Sequence, residues 1–174
     1  MTCLYTFLQN KKNRWLCLVA SALLLGATVC FPIVGVLEWG ALVPAAAVLL
    51  FMAREEKLSF KKAYLLGLAF FEIFLAVVYH WFIYMYPLEF LGMSPLTAAF
   101  VVILACFGLS LLHALPGALL FPLLLKVARG RAALLIPVLA PVLAASLWCV
   151  YEWGLTIGWA GMPWARLALG QMKL

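Results

Sequence analysis

Along the 174 residues, long apolar runs alternate with short polar breaks, and the runs are about as long as a bilayer is thick. The first runs from Trp15 to Phe31 and stops at Pro32, with Gly35 completing a short turn, because proline offers no amide hydrogen to continue a helix. A second helix is predicted over residues 36–53. The stretch Arg54-Glu55-Glu56-Lys57-Leu58-Ser59-Phe60-Lys61-Lys62 is too charged for hydrocarbon and reads as a loop outside it. Helices over 63–86, 96–125 and 134–153 follow, separated by a turn around Pro87, Gly92 and Pro95 and by the loop Lys126 to Arg131. Pro116-Gly117 inside the fourth predicts a kink, and the Leu112 carbonyl that Pro116 leaves without a donor needs another partner. The fold class expected is therefore all-α: a polytopic transmembrane bundle of about five helices, with residues 1–14 as a cytoplasmic N-terminus and 154–174 as an extracytoplasmic or re-entrant tail.

Composition agrees. Hydrophobic residues make up 68% and charged residues 10% of the chain, well beyond the roughly 45–50% apolar content of soluble domains. The net charge of +6 does not indicate nucleic acid, because the basic residues fall in tight clusters between the apolar runs. Three lie before the first helix, four between the second and third, and three between the fourth and fifth, so ten of the twelve share one side. The positive-inside rule makes that side cytoplasmic and places the protein in a membrane as a multi-pass chain. Arg166 and Lys173 alone fall in the tail.

Aromatic residues show the opposite bias. Trp39, Trp81, Trp153, Trp159 and Trp164 lie at or beyond the outward helix ends, with Tyr79, Tyr84, Tyr86 and Tyr151 nearby, against Trp15 on the basic side. An ordinary aromatic belt accounts for this, and so does an outward-facing pocket for a lipid or another amphipathic substrate.

Two ionisable residues fall deep inside predicted spans, where a charge costs a few kcal/mol, about 3, and function is the default suspicion. Glu72 lies ten residues beyond Lys62 and His113 thirteen before Lys126, so about 15 and about 20 Å from the same boundary. The third and fourth helices are sequential and antiparallel, so the two are expected to meet, as an ion pair or through a protonated carboxyl group. A Glu72 satisfied by a hydroxyl or a freed carbonyl is the plainer expectation. Glu72 shares a helical face with Ala76, Tyr79, Ile83 and Tyr86, a stripe expected to point into the bundle.

Other chemistry is thin. Lys11, Lys12 and Arg14 before an apolar stretch resemble a signal sequence, and Ala27-Thr28-Val29-Cys30 a lipoprotein cleavage box, but β-branched Val29 suits cleavage poorly and the first helix is read as uncleaved. The five cysteines (Cys3, Cys17, Cys30, Cys106, Cys149) have no CxxC spacing and no histidine beside them in sequence, so they read as buried small apolar residues rather than a disulfide framework or a metal site. The chain has no aspartate, no HExxH and no glycine-rich phosphate loop, so no catalytic residue, cofactor or metal is expected. Gly154, Gly158 and Gly161 fit close packing or a loop equally well.

The most specific string is Glu152-Trp153-Gly154-Leu155-Thr156-Ile157-Gly158-Trp159-Ala160-Gly161-Met162-Pro163-Trp164, followed by Gly170-Gln171. It resembles the segment of apolipoprotein N-acyltransferases in which a glutamate and an aromatic close a helix and a Gly-aromatic-Pro-Trp turn follows. Phe31-Pro32, Tyr79-His80-Trp81, Leu91-Gly92-Met93-Ser94-Pro95 and Ala140-Pro141 leading to Trp148 resemble that family in the same order. Leu155 stands where many members have an arginine, and Met162 where an aromatic usually precedes the proline.

The resemblance implies the N-terminal membrane portion of such an enzyme, in a bacterial inner membrane. There the full-length family moves an acyl group from a phospholipid to the N-terminal amine of a lipoprotein, through a nitrilase-like domain with a Glu-Lys-Cys set that would begin beyond residue 174. The chain is then expected to be truncated or one piece of a split enzyme, and inert alone. Its partners would be membrane phospholipid and either a lipoprotein substrate or a separately encoded nitrilase-like domain. Tyr79, His80, Trp81, Glu152, Trp153, Pro163 and Trp164 are the lipid- or substrate-lining candidates. The alternative is a small non-enzymatic membrane module, such as a transporter subunit, with Glu72 and His113 as its intramembrane site.

Overall fold

In a computed structural model, which describes residues 2–55, 58–129, 136–158 and 161–171, the chain is a helix bundle with no strand among those residues. Trp159, Lys57, Arg131 and Lys173 lie outside the described residues. The helices are α1 (Thr2–Gln9), α2 (Lys11–Cys30), α3 (Glu38–Ala41), α4 (Val43–Glu55), α5 (Phe60–Val78), α6 (Pro95–Ile103), α7 (Leu109–Gly117), α8 (Leu120–Ala128) and α9 (Ile136–Gly154). Four helical stretches are long and apolar enough to cross a membrane: Lys11–Cys30, Ile33–Glu55, Phe60–Met85 and Pro95–Ala128. The 19-residue α9 adds a further long helix.

Local chemistry sets most of the boundaries. Asn10 caps α2 by accepting from the Lys12 amide at 2.9 Å, and Ser59 caps α5 by accepting from the Lys62 amide at 3.4 Å. Ser94 accepts from the Thr97 amide at 3.3 Å, and Pro95 occupies the first position of α6, where a missing N–H costs nothing. Phe31, forced extended (φ −122°, ψ 98°) by the proline after it, ends α2. The N-terminal fourteen residues are more ordered than a simple tail: Thr2–Gln9 forms α1.

The third predicted helix changes character before it ends. Beyond Val78 the backbone tightens into a 3-10 helix, Tyr79–Met85. At three residues per turn instead of 3.6, side chains beyond Tyr79 rotate off the face that Glu72 occupies. The stripe expected from Glu72 through Tyr86 therefore breaks: Tyr79 is 0% exposed, whereas Ile83 is 59% and Tyr86 48% exposed.

The Pro95–Ala128 stretch would measure about 51 Å as a straight helix, against about 30 Å of hydrocarbon. It is broken twice. Leu104–Gly108 is a stretch of π-helix, and Pro116-Gly117 ends α7. Near the second break, Tyr151 donates its hydroxyl to the His113 carbonyl at 3.3 Å and Tyr64 donates to the Leu115 carbonyl at 3.1 Å. Neighbouring helices thus supply donors to two carbonyls beside the break, neither of them the Leu112 carbonyl that Pro116 frees.

The core is centred on α5, which packs against α2, α7 and α8. Phe70, Phe71 and Phe74 are buried there with Phe121 and Tyr151, and Phe71 lies 5.0 Å from the Tyr151 ring and 5.6 Å from that of Trp148. Small residues set the closest approaches. A Cβ at Gly26 would sit 2.7 Å from Val77, one at Gly67 2.7 Å from the Ala118 carbonyl oxygen, and one at Gly117 2.8 Å from the Phe71 ring.

The two ends differ as the charge pattern predicts. Arg129, one residue past α8, donates from Nη1 to the Leu58 carbonyl at 2.9 Å and from Nε to the Ala53 carbonyl at 3.3 Å, so the ends of α4 and α8 and the start of α5 share one end of the bundle. Among the described residues that end carries the basic side chains other than Arg166. The opposite, aromatic end carries Trp39, Tyr84, Trp153 and Trp164, all exposed.

Candidate functional site

At the aromatic end, the segment after α9 folds back rather than leaving the bundle. The Met162 amide donates to the Leu155 carbonyl at 2.7 Å, Gly158 adopts a left-handed φ of +83°, and the 3-10 turns Pro163–Ala165 and Leu167–Gln171 follow. The last of these packs on the turn Pro32–Leu37 and on α2. Of the three glycines weighed in this region, Gly158 is required by its backbone angle. Gly154 faces open space.

Glu152 holds this arrangement. Its Oε1 accepts from the Trp148 indole N–H at 2.7 Å, one turn back on α9, and from the Leu167 backbone amide at 2.9 Å. A carboxylate is well suited to this, because it can accept twice at one oxygen without a competing donor of its own. Trp164, on the same segment, lies 6.1 Å from Trp81, which stacks on Phe82 at 4.1 Å. The Trp81 indole N–H is buried there with no hydrogen-bond acceptor among the described residues. Beside Glu152 and Leu167 opens a cavity of about 500 Å³ that continues between α4, α5, α8 and α9 along Leu49, Phe71, Phe121 and Trp148. Among the described residues Glu152 is the only carboxyl group on its wall, and the rest of that lining is almost wholly apolar.

The expected lining residues therefore separate into groups. Trp81, Glu152, Pro163 and Trp164 belong to the folded-back segment and its support, with Pro163 opening the turn that carries Trp164. Trp153 points outward and is 67% exposed, as a belt residue would be. Tyr79 and Tyr151 are not belt residues, although both were grouped with the outward aromatics: each is buried and spends its hydroxyl inside the bundle. His80 faces α2 instead. Its Nδ1 lies 2.7 Å from the Val77 carbonyl and 3.9 Å from Cys30 Sγ. A carbonyl can only accept, so Nδ1 carries the proton and cannot take one from the thiol.

That Cys30–His80 contact could not be read from sequence, since fifty positions separate the two. The reading of all the cysteines as buried also needs correction. Cys106 is buried, Cys17 and Cys30 are half-buried, and Cys149 is exposed on the lining of the cavity.

Glu72 and His113 form the second centre, between α5 and α7. Each has a hydroxyl partner. Ser110 donates to Glu72 Oε1 at 2.7 Å, and the Tyr79 hydroxyl lies 2.7 Å from His113 Nδ1. Ser110 and His113 are one turn apart on α7, and Tyr79, the first residue of the 3-10 helix after α5, is two turns beyond Glu72, so the four polar groups line one helix–helix seam. Sequence reasoning missed Ser110. Its separation of three from His113 was the available signal. Glu72 Oε2 is buried with no partner among the described residues.

A profile of the apolipoprotein N-acyltransferase N-terminal domain matches residues 21–174. The chain belongs to this family. The match begins inside α2 and runs through the folded-back segment, so nearly the whole bundle is family structure, and no catalytic domain lies within these residues. No curated protein and no solved structure matches the chain.

Proposed function

We propose that the chain is the membrane-anchoring and lipid-access portion of an apolipoprotein N-acyltransferase-like protein of a bacterial inner membrane, inert by itself. The family match across residues 21–174 carries this reading. Two features of the aromatic end support it. The folded-back segment, tied down by Glu152, makes a platform of Trp81 and Trp164 at one membrane face, and the apolar cavity beside it has the size and lining of a site for a lipid chain. The platform would carry a nitrilase-like domain over the outer leaflet, with the basic end in the cytoplasm.

The test is reconstitution with a separately supplied nitrilase-like domain, a phospholipid donor and a diacylglyceryl-cysteine peptide. Acyl transfer is expected only when both proteins are present. Transfer by this chain alone, or by the domain equally well without it, overturns the proposal.

A second reading, a solute-binding module centred on Glu72 and His113, rests on one observation: the partnerless Oε2 of Glu72. The hydroxyls of Ser110 and Tyr79 already occupy Glu72 Oε1 and His113 Nδ1, which favours a structural role.

A further inference from the structure

The basic end holds a second built site, unrelated to the aromatic platform. α2 and α5 pack side by side and both begin at this end, so their N-terminal turns, capped by Asn10 and Ser59, lie together. Each helix start carries about half a positive charge, and here two add instead of cancelling. Between them lies a cavity of about 320 Å³ whose rim carries Lys11, Arg14 and Lys62. Lys11 and Lys62 are exposed. Arg14 is fixed in the wall: its Nη2 donates to the Gln9 carbonyl at 3.3 Å and its guanidinium lies 5.4 Å from the centre of the Phe51 ring. No acidic side chain lines this cavity among the described residues. Glu55 lies in a separate cleft with Tyr5 and Arg54.

The rest of the lining is apolar, and its order along the helices matters. Trp15 and Leu66 each follow a lysine by four residues, which places them about 6 Å deeper toward the bundle centre than Lys11 and Lys62. Trp15 and Leu65 remain exposed on that deeper level. Cations above and exposed apolar side chains directly below reproduce the order of an anionic headgroup followed by acyl chains. A free anion would use only the upper half.

We propose that this cleft binds an anionic phospholipid from the leaflet that the basic end faces, with Lys11, Arg14 and Lys62 holding the phosphate and Trp15, Leu65 and Leu66 the first part of the chains. The site lies at the opposite end of the bundle from the aromatic platform, so it serves lipid anchoring and not acyl donation.

Native mass spectrometry of the full chain in detergent, with phosphatidylglycerol and phosphatidylcholine of the same acyl chains, tests it. Phosphatidylglycerol should be retained over phosphatidylcholine, and Lys11→Gln and Lys62→Gln should each weaken retention about fivefold. Lys61→Gln, which removes a neighbouring charge outside the cleft, should leave it unchanged. Both lysines are exposed, so the variants should unfold at the parent temperature. Equal retention of the two lipids overturns the proposal, and so does an equal loss in Lys61→Gln, which would indicate a diffuse field. Displacement of phosphatidylglycerol by equimolar inorganic phosphate would assign the cleft to a free anion and overturn it as well.

Discussion

Ser110→Ala separates a structural polar seam from an incidental one. The serine is fully buried, and its hydroxyl donates to Glu72 Oε1 at 2.7 Å, with the Phe107 carbonyl at 3.0 Å as its other neighbour. A hydroxyl has one proton, so the shorter contact to the carboxyl group takes it. Removing it leaves both oxygens of Glu72 without a donor among the described residues, because Oε2 has none there already. An unsatisfied buried polar group costs about 1–3 kcal/mol, while hydrogen bonds between helices in membranes average about 0.6 and reach about 1.7 kcal/mol. The expected loss for Ser110→Ala is therefore about 1–2 kcal/mol. In a Glu72→Met background the same change should cost almost nothing. There the serine has only the Phe107 carbonyl to bond, and an apolar side chain has no donor to lose. Unfolding of the detergent-solubilised protein, followed by tryptophan fluorescence, gives the four corners of the cycle, with a coupling of about 1 kcal/mol expected. An equal loss in both backgrounds would show that Ser110 stabilises α7 alone, and the account of the seam would fail.

Two further outcomes follow from the packing and the tail. Gly67→Ala would force a methyl group against the Ala118 backbone oxygen, which cannot swing away, and should cost about 1–3 kcal/mol in the same unfolding assay. Gly40→Ala, with nothing within 4 Å of its Cβ, should be neutral or slightly stabilising; equal effects at the two positions would remove helix approach as the cause. Glu152→Ala withdraws the acceptor shared by the Trp148 indole and the Leu167 amide, so exchange at the Leu167 amide should rise at least about tenfold while α5 amides stay protected. Unchanged exchange at Leu167 would mean that the segment is held by its apolar contacts.

The periodic information in the sequence was enough for the bundle and for its basic and aromatic ends, because span length and charge clustering are properties of local windows. It failed where geometry depends on a partner far along the chain. The 3-10 tightening at Tyr79 and the π-helix at Leu104–Gly108 are absorbed by packing between helices, and nothing in either window marks them. Glu72 and His113 stand out in the sequence as ionisable residues inside predicted spans, but Ser110, an unremarkable serine in an apolar run, supplies the bond to Glu72. At the tail the resemblance pointed to Glu152 and Trp164. That Glu152 acts by bonding the Leu167 amide, fifteen residues on, becomes visible only once the segment is folded back.

The seam between α5 and α7 also constrains how the protein is made. Glu72 precedes the serine that satisfies it by 38 positions. At about 5–20 residues per second of synthesis, α5 waits roughly 2–8 s in the translocation machinery or the bilayer before its donor is translated. During that interval its carboxyl group has no hydroxyl to accept from, and Gly67 has no Ala118 backbone to rest against. The hub of the finished bundle is thus an orphan during biogenesis, and whatever shelters a polar nascent helix from lipid would be needed between the third crossing and the fourth.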